Sequence, residues 1–225
     1  MRRTSRASRA PRIPHRGPAA SHTAPRASRD RIFAAAAVEF AARGFAGANM
    51  DRIARAAHLN KAMIYYHFAG KTALYRAILS EMFGAVRTAV TAVAACDQPP
   101  EDRIRAYVAA IAREAEARPH FPPIWLREIA EGGTHVDAST MAYLRDVLAA
   151  LGAIIADGTR VGRFQPLPPF MVQAGIIAPL MVFFATSRMR EKIARLTRAE
   201  VTGISREAVV AHIQRVTLAQ LEGKV

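Results

Sequence analysis

The chain has 225 residues, 51% of them apolar, and a formal net charge of +14. The apolar share suffices for a real core, and its many alanines favour closely packed helices. The charge points to an anionic partner, nucleic acid or a membrane surface. The single cysteine, Cys96, excludes an internal disulfide, agrees with a reducing compartment, and reads as small apolar filler on a helix.

Residues 1–29 hold eight arginines and no acid. Pro11, Pro14, Pro18 and Pro25 prevent the amphipathic helix of a transit peptide, so residues 1–27 are expected to form a disordered basic arm. Apolar residues then recur at helical spacing over about 29–43, with Ser28 placed as N-cap and Gly44 as the left-handed stop, from which Phe45 folds back. Asn49 caps a helix over 50–57 with Ile53 and Ala54 inward, and Asn60 caps another over 61–67. A long helix is expected over 71–95. Beyond the loop "DQPPED", helices are expected over 101–117, 122–131, 137–161, 168–187 and 205–222. No alternating pattern long enough for a strand appears, so the fold class is all-α. The uncharged stretch 164–187 approaches bilayer-spanning length, but its prolines and glutamines favour a helix buried on more than one side, with Pro179 either kinking it or sitting where a missing hydrogen bond is tolerated.

Three short helices over 29–68, the last two joined by the tight turn "HLN", describe a helix-turn-helix. Histidine is among the residues that tolerate positive φ, so His58 can replace the glycine usual at the sharp position. The stretch "NMDRIARAAHLNKAMIYYHFAGKTALYRAIL" resembles the DNA-binding domain of the TetR family of bacterial transcriptional regulators. Asn49, Ile53-Ala54, Ile64-Tyr65, Phe68 and Lys71 occupy the family's pattern positions. The resemblance covers about residues 29–79.

It implies a helix-turn-helix domain over 28–75 and an effector-binding and dimerisation domain over 76–225. It also implies a cytoplasmic homodimer on double-stranded operator DNA, released by a small-molecule effector. Residue chemistry agrees. Lys61 can donate to guanine and Ala62 can approach a thymine methyl in the major groove. Asn49, Asn60, Met63, Tyr65, Tyr66, His67 and Lys71 complete the expected DNA surface, with Lys71 as a phosphate contact. Of the adjacent tyrosines one is expected to face inward, Tyr65 being partly core.

In the larger domain, Phe83, Tyr107, Phe121, Trp125, Met141, Met181 and Phe184 are candidate lining for an apolar effector pocket. Phe183, Val209, Ile213 and Val216 are candidates for a dimer seam built from 168–187 and 205–221. His120, Glu131 and His135 flank the "EGG" turn, but no HExxH or zinc-type Cys/His spacing is present, so neither metal nor cofactor is expected. No nucleophile context or phosphate-cradling loop points to an enzyme. The alternative reading is a helical small-molecule enzyme or membrane-associated protein that mimics the motif.

Overall fold

The computed structural model describes residues 23–197 and 202–224, so most of the expected basic arm lies outside the described residues. Helix α1 spans Thr23–Gly47 and is broken at Gly44 (φ 68°). It starts five residues before Ser28, which therefore lies inside the helix and not at its cap. Pro25 is no obstacle there, because a first-turn proline forfeits no intrahelical hydrogen bond. Helices α2 (Met50–Ala56) and α3 (Lys61–His67) follow, then the long α4 (Lys71–Ala94). Next come α5 (Pro100–Ala117), α6 (Phe121–Ala130) and α7 (Ala138–Arg160). The chain closes with α8 (Pro169–Ala185), α9 (Ser187–Thr197) and α10 (Arg206–Leu221). The described residues contain no strand.

Ile32, Ala36, Phe40, Ile53, Ile64 and Phe68 are buried and bind α1–α3 into one small core. Helix α4 carries a long inward stripe, Leu74 to Val90, that packs on α7 and α5. Helix α8 packs on α6, α7 and α10, and α6 in turn touches α1. Two polar ties sit inside this bundle. Arg103 on α5, 7% exposed, bonds Asp157 of α7 at 2.8 Å and the Ala94 carbonyl at 3.2 Å. The buried Tyr107 hydroxyl donates within reach of the Val147 carbonyl (3.1 Å) and the Gln173 side-chain oxygen (2.9 Å). Burial pushes the Tyr107 hydroxyl far above its ordinary pKa, so it stays a neutral donor.

Pro179 takes the second of its two expected roles: α8 runs on past it, and the chain bends by 67° between α8 and α9, where Thr186 ends the first helix. Proline on an outward face loses one bond without a core clash, so the helix continues past it. Two expectations need correction. Helix α8, expected to be buried on more than one side, keeps one face open within this single chain. Val172, Ile176, Leu180 and Met181 face inward, while Met171, Ala174, Gly175, Ala178, Pro179 and Val182 form an exposed stripe at helical spacing. Cys96 is exposed just past α4, its thiol 3.3 Å from the Ala92 carbonyl, and is no core filler. By length and composition α4 and α7 could each cross a membrane, yet here they pack against one another.

Candidate nucleic-acid interface

The turn between α2 and α3 sets the geometry. His58 has φ 53°. Its amide donates to the Arg55 carbonyl (3.1 Å) and the Leu59 amide to the Ala54 carbonyl (3.0 Å), a paired C-terminal closure that needs a left-handed residue at this position. Histidine accepts that conformation more readily than most side chains. Both asparagines cap as expected. Asn49 accepts from the Asp51 amide at 2.7 Å and Asn60 from the Met63 amide at 3.0 Å. Their oxygens are therefore committed to the backbone, which makes them positioning residues for α2 and α3. Glu39 of α1 fixes the entry of α2, accepting from the Asn49 amide (3.1 Å) and from Arg52 (2.7 Å). Burial alone would raise its pKa, but Arg52 and the Asn49 amide outweigh it and hold Glu39 below the usual range.

With Ile64 wholly buried, α3 turns Lys61, Ala62, Tyr65 and Tyr66 outward. Tyr65 is 53% and Tyr66 74% exposed, so neither faces inward. Ile64, with half-buried Met63, fills the inward side of so short a helix, and the next two positions, about 100° and 200° round, both clear the core. Met63 is half-buried against the small core, and His67 is half-buried edge-on to Tyr66 at 5.0 Å. Lys61 forms a half-exposed ion pair with Asp51 at 3.1 Å, which costs little to break. Lys71 does not reach out freely. Its ammonium donates to the Ala46 carbonyl at 3.1 Å and lies 4.8 Å from the Phe45 ring centroid, tying α4 to the end of α1.

A second joint, invisible in the spacing of residues, connects α1 with α6. The Arg127 guanidinium donates to the Phe40 (3.2 Å), Ala41 and Ala42 (3.3 Å) carbonyls, the open end of α1 just before Gly44. Beside it the Tyr75 hydroxyl donates to the fully buried Glu128 at 3.0 Å. The His135 amide donates to the same carboxylate at 2.7 Å, and the His135 ring lies 3.9 Å from Phe45. Gly44 carries this geometry, and the Phe45 fold-back expected from the sequence lands on Phe40 (6.3 Å) and Tyr75 (5.2 Å).

The seven pocket candidates differ in burial. Phe83, Tyr107, Phe121 and Met181 are core, with Phe83 packed edge-on against Phe121 (5.5 Å) and Trp125 (4.6 Å). Phe184 is half-buried, and Met141 is 55% exposed at the start of α7. A groove of about 830 Å³ lies between α1, α4 and the turn before α6, with Phe33, Val38, Ala77, Glu81 and His120 among its walls. Burial pulls the His120 pKa down, with Glu81 opposing. Of the seam candidates, Phe183 and Val209 are half-buried and Val216 is 49% exposed. Ile213 is 2% exposed inside its own chain, because the apolar stripe of α10 is spent on α5 and α8.

Residues 32–78 match the family described as bacterial regulatory proteins, tetR family. The chain is 28% identical over 163 residues to the HTH-type transcriptional repressor NicS of Pseudomonas putida, covering 72% of this chain and 77% of that one. Over 57 residues it is 46% identical to the HTH-type transcriptional repressor SCO4008 of Streptomyces coelicolor, covering 25% of this chain and 30% of that one. Among solved structures it is similar to a tetR-family regulatory protein from Rhodococcus (TM-score 0.68, 20% identity, 86% of this chain and 96% of that one).

Proposed function

We propose that this chain, whose residues 32–78 match the tetR family of bacterial regulatory proteins, is a cytoplasmic, ligand-responsive transcriptional repressor. It binds operator duplex as a homodimer and lets go when a small apolar or amphipathic effector binds. The relatives named above are regulators and not enzymes. Residues 28–75 read the DNA, and 76–225 bind the effector and the second copy.

The observation that carries this reading is α3. It is anchored by buried Ile64, capped by Asn60 and held by the His58 turn, and it presents Lys61, Ala62, Tyr65 and Tyr66 as one exposed face. Lys61 and Ala62 lie at its N-terminal end, where a recognition helix meets base edges. The two tyrosine hydroxyls reach the sugar-phosphate wall, with Lys71 flanking it.

The exposed stripe of α8 supports the homodimer. Its small residues Ala174, Gly175 and Ala178 allow a close approach of the same helix from a second copy, with Val216 of α10 alongside. Two copies must then place their α3 helices about 34–36 Å apart, or a multiple, to meet successive major grooves. The effector enters beside Phe83, Phe121 and Trp125, which requires those rings to part; Met141, being exposed, is not among its contacts.

Footprinting on the neighbouring intergenic DNA, repeated with a panel of apolar ligands, tests the whole. Protection of one pseudo-palindromic site that falls with salt and is lifted by a ligand is expected. Absence of any protected site at low salt overturns the reading.

A further inference from the structure

We propose that Glu128, Glu131 and His135 form a binding site for a divalent transition-metal ion of the zinc class at the joint between α6 and the DNA-reading helices. The three residues follow the spacing E-x2-E-x3-H. Glu128 and Glu131, three apart, share one face at the end of α6. Gly132 (φ 73°) and Gly133 (φ 75°) then turn the chain back, a conformation two consecutive side chains would resist. The reversal brings His135 onto Glu128, and its amide donates to Glu128 Oε1 at 2.7 Å. His135 Nδ1 lies 3.2 Å from Glu128 Oε2 and 4.0 Å from Glu131 Oε2. One donor atom from each residue lies within 4.8 Å of the others. Donors about 2.0–2.2 Å from a tetrahedral ion stand roughly 3.5 Å apart. Only Glu131, 45% exposed and with no other ion-pair partner among the described residues, has to swing inward.

Glu128 is the fixed member of the set: its side chain has no exposure, and Tyr75 and His135 hold both of its oxygens while no lysine or arginine pairs with it among the described residues. The groups around it are the Tyr75 hydroxyl from α4, the rings of Phe45 and Phe40 around Tyr75, and His135 itself, with the Arg127 guanidinium beside Tyr75 and the Arg76 guanidinium donating to the His135 carbonyl at 3.3 Å. The Tyr75 hydroxyl donates to Glu128 at 3.0 Å. Its bond to Glu128 Oε2 is the outer support that metal-ligating carboxylates commonly have. One imidazole and two carboxylates suit zinc and its neighbours better than calcium or magnesium, which prefer all-oxygen shells. The exposed edge at Glu131 provides an entry path and leaves a fourth position for water. His135 also touches Phe45, whose ring carries Lys71, so a bound ion would stiffen the start of α2 and α4. That consequence rests on the DNA-binding reading; the site itself does not.

The test uses the full-length, untagged protein and Co²⁺ alone, followed by visible absorption, then displacement by Zn²⁺ in calorimetry, all without DNA. The expected result is one equivalent per chain with ligand-field bands. Glu131→Gln should weaken binding tenfold or more and His135→Gln should abolish it. Tyr75→Phe should weaken it about tenfold. Glu131 is exposed at the surface, so its variant should keep the native helical circular dichroism. No cobalt bands, or equal uptake by the native chain and Glu131→Gln, overturns the site and leaves the His135–Glu128 contact a structural hydrogen bond. Because no operator is involved, a failed metal titration and a failed footprint are separate results.

Discussion

Replacing Arg127 by Met keeps most of the side-chain volume and removes the cap that α6 places on α1. Three carbonyls lose a charged donor, those of Phe40, Ala41 and Ala42. A fully buried bond to a charged group contributes about 1.5–3 kcal/mol. These bonds are only part-buried and share one guanidinium, so water recovers part of each and they do not add. Loss of a cation at a helix C-terminus adds about 0.3–1 kcal/mol. The net cost should be about 2–3 kcal/mol, which for a chain of this size lowers Tm by about 4–12 °C. Calorimetry measures the fall, and hydrogen exchange should localise it to the amides around Gly44 and Phe45. Arg127→Lys should recover only a fraction, because one ammonium cannot span three carbonyls. A Tm change below about 2 °C for Arg127→Met would mean that the cap contributes nothing net and that the α1–α6 joint rests on apolar packing alone.

Gly158→Ala should destabilise by about 1–3 kcal/mol through overpacking, since its Cβ would meet Phe164 Cδ2 at 2.0 Å; adding Phe164→Leu should restore part of the loss in the same melting assay. Asp137 caps α7 through the Thr140 amide, and that bond, against the opposing pull of burial, holds its carboxyl below the ordinary range. A depressed carboxylate stabilises above its unfolded pKa of about 3.9 and loses that contribution as pH falls through the lower folded value. Asp137→Ala should therefore cost about 1 kcal/mol at neutral pH, with a smaller deficit in strong acid, and an unchanging deficit would refute the charge contribution. Lys61→Ala should relax sequence preference by about 1–3 kcal/mol at one base pair, whereas Lys71→Ala should weaken all DNA alike and lower the salt slope by about one, as filter binding on specific and random duplexes would show. Ala178→Glu puts a charge into the exposed stripe of α8 and should yield folded monomers in sedimentation, while Ile213→Glu should instead unfold the chain, because that side chain already lies in its own core.

The DNA-reading half was legible because its signals are local. A cap, a left-handed turn residue and a three-to-four apolar spacing act within a few residues, so Asn49, His58, Asn60 and the bounds of α3 followed from the string alone. The helices of the larger half were legible for the same reason, apart from α9, whose polar run carries no buried residue to mark it. What periodicity could not decide is which apolar face meets which neighbour. Tyr65 and Tyr66 both point outward because Ile64, with half-buried Met63, fills the space beneath α3, Ile213 turns inward because α5 and α8 claim its stripe, and Met141 is exposed because its neighbour Thr140 takes the inward position at the start of α7. The Arg127 cap and the Glu128–His135 contact join segments dozens of residues apart or across two left-handed glycines, and a bond of that kind depends on where helices cross, which is settled only when the whole core packs.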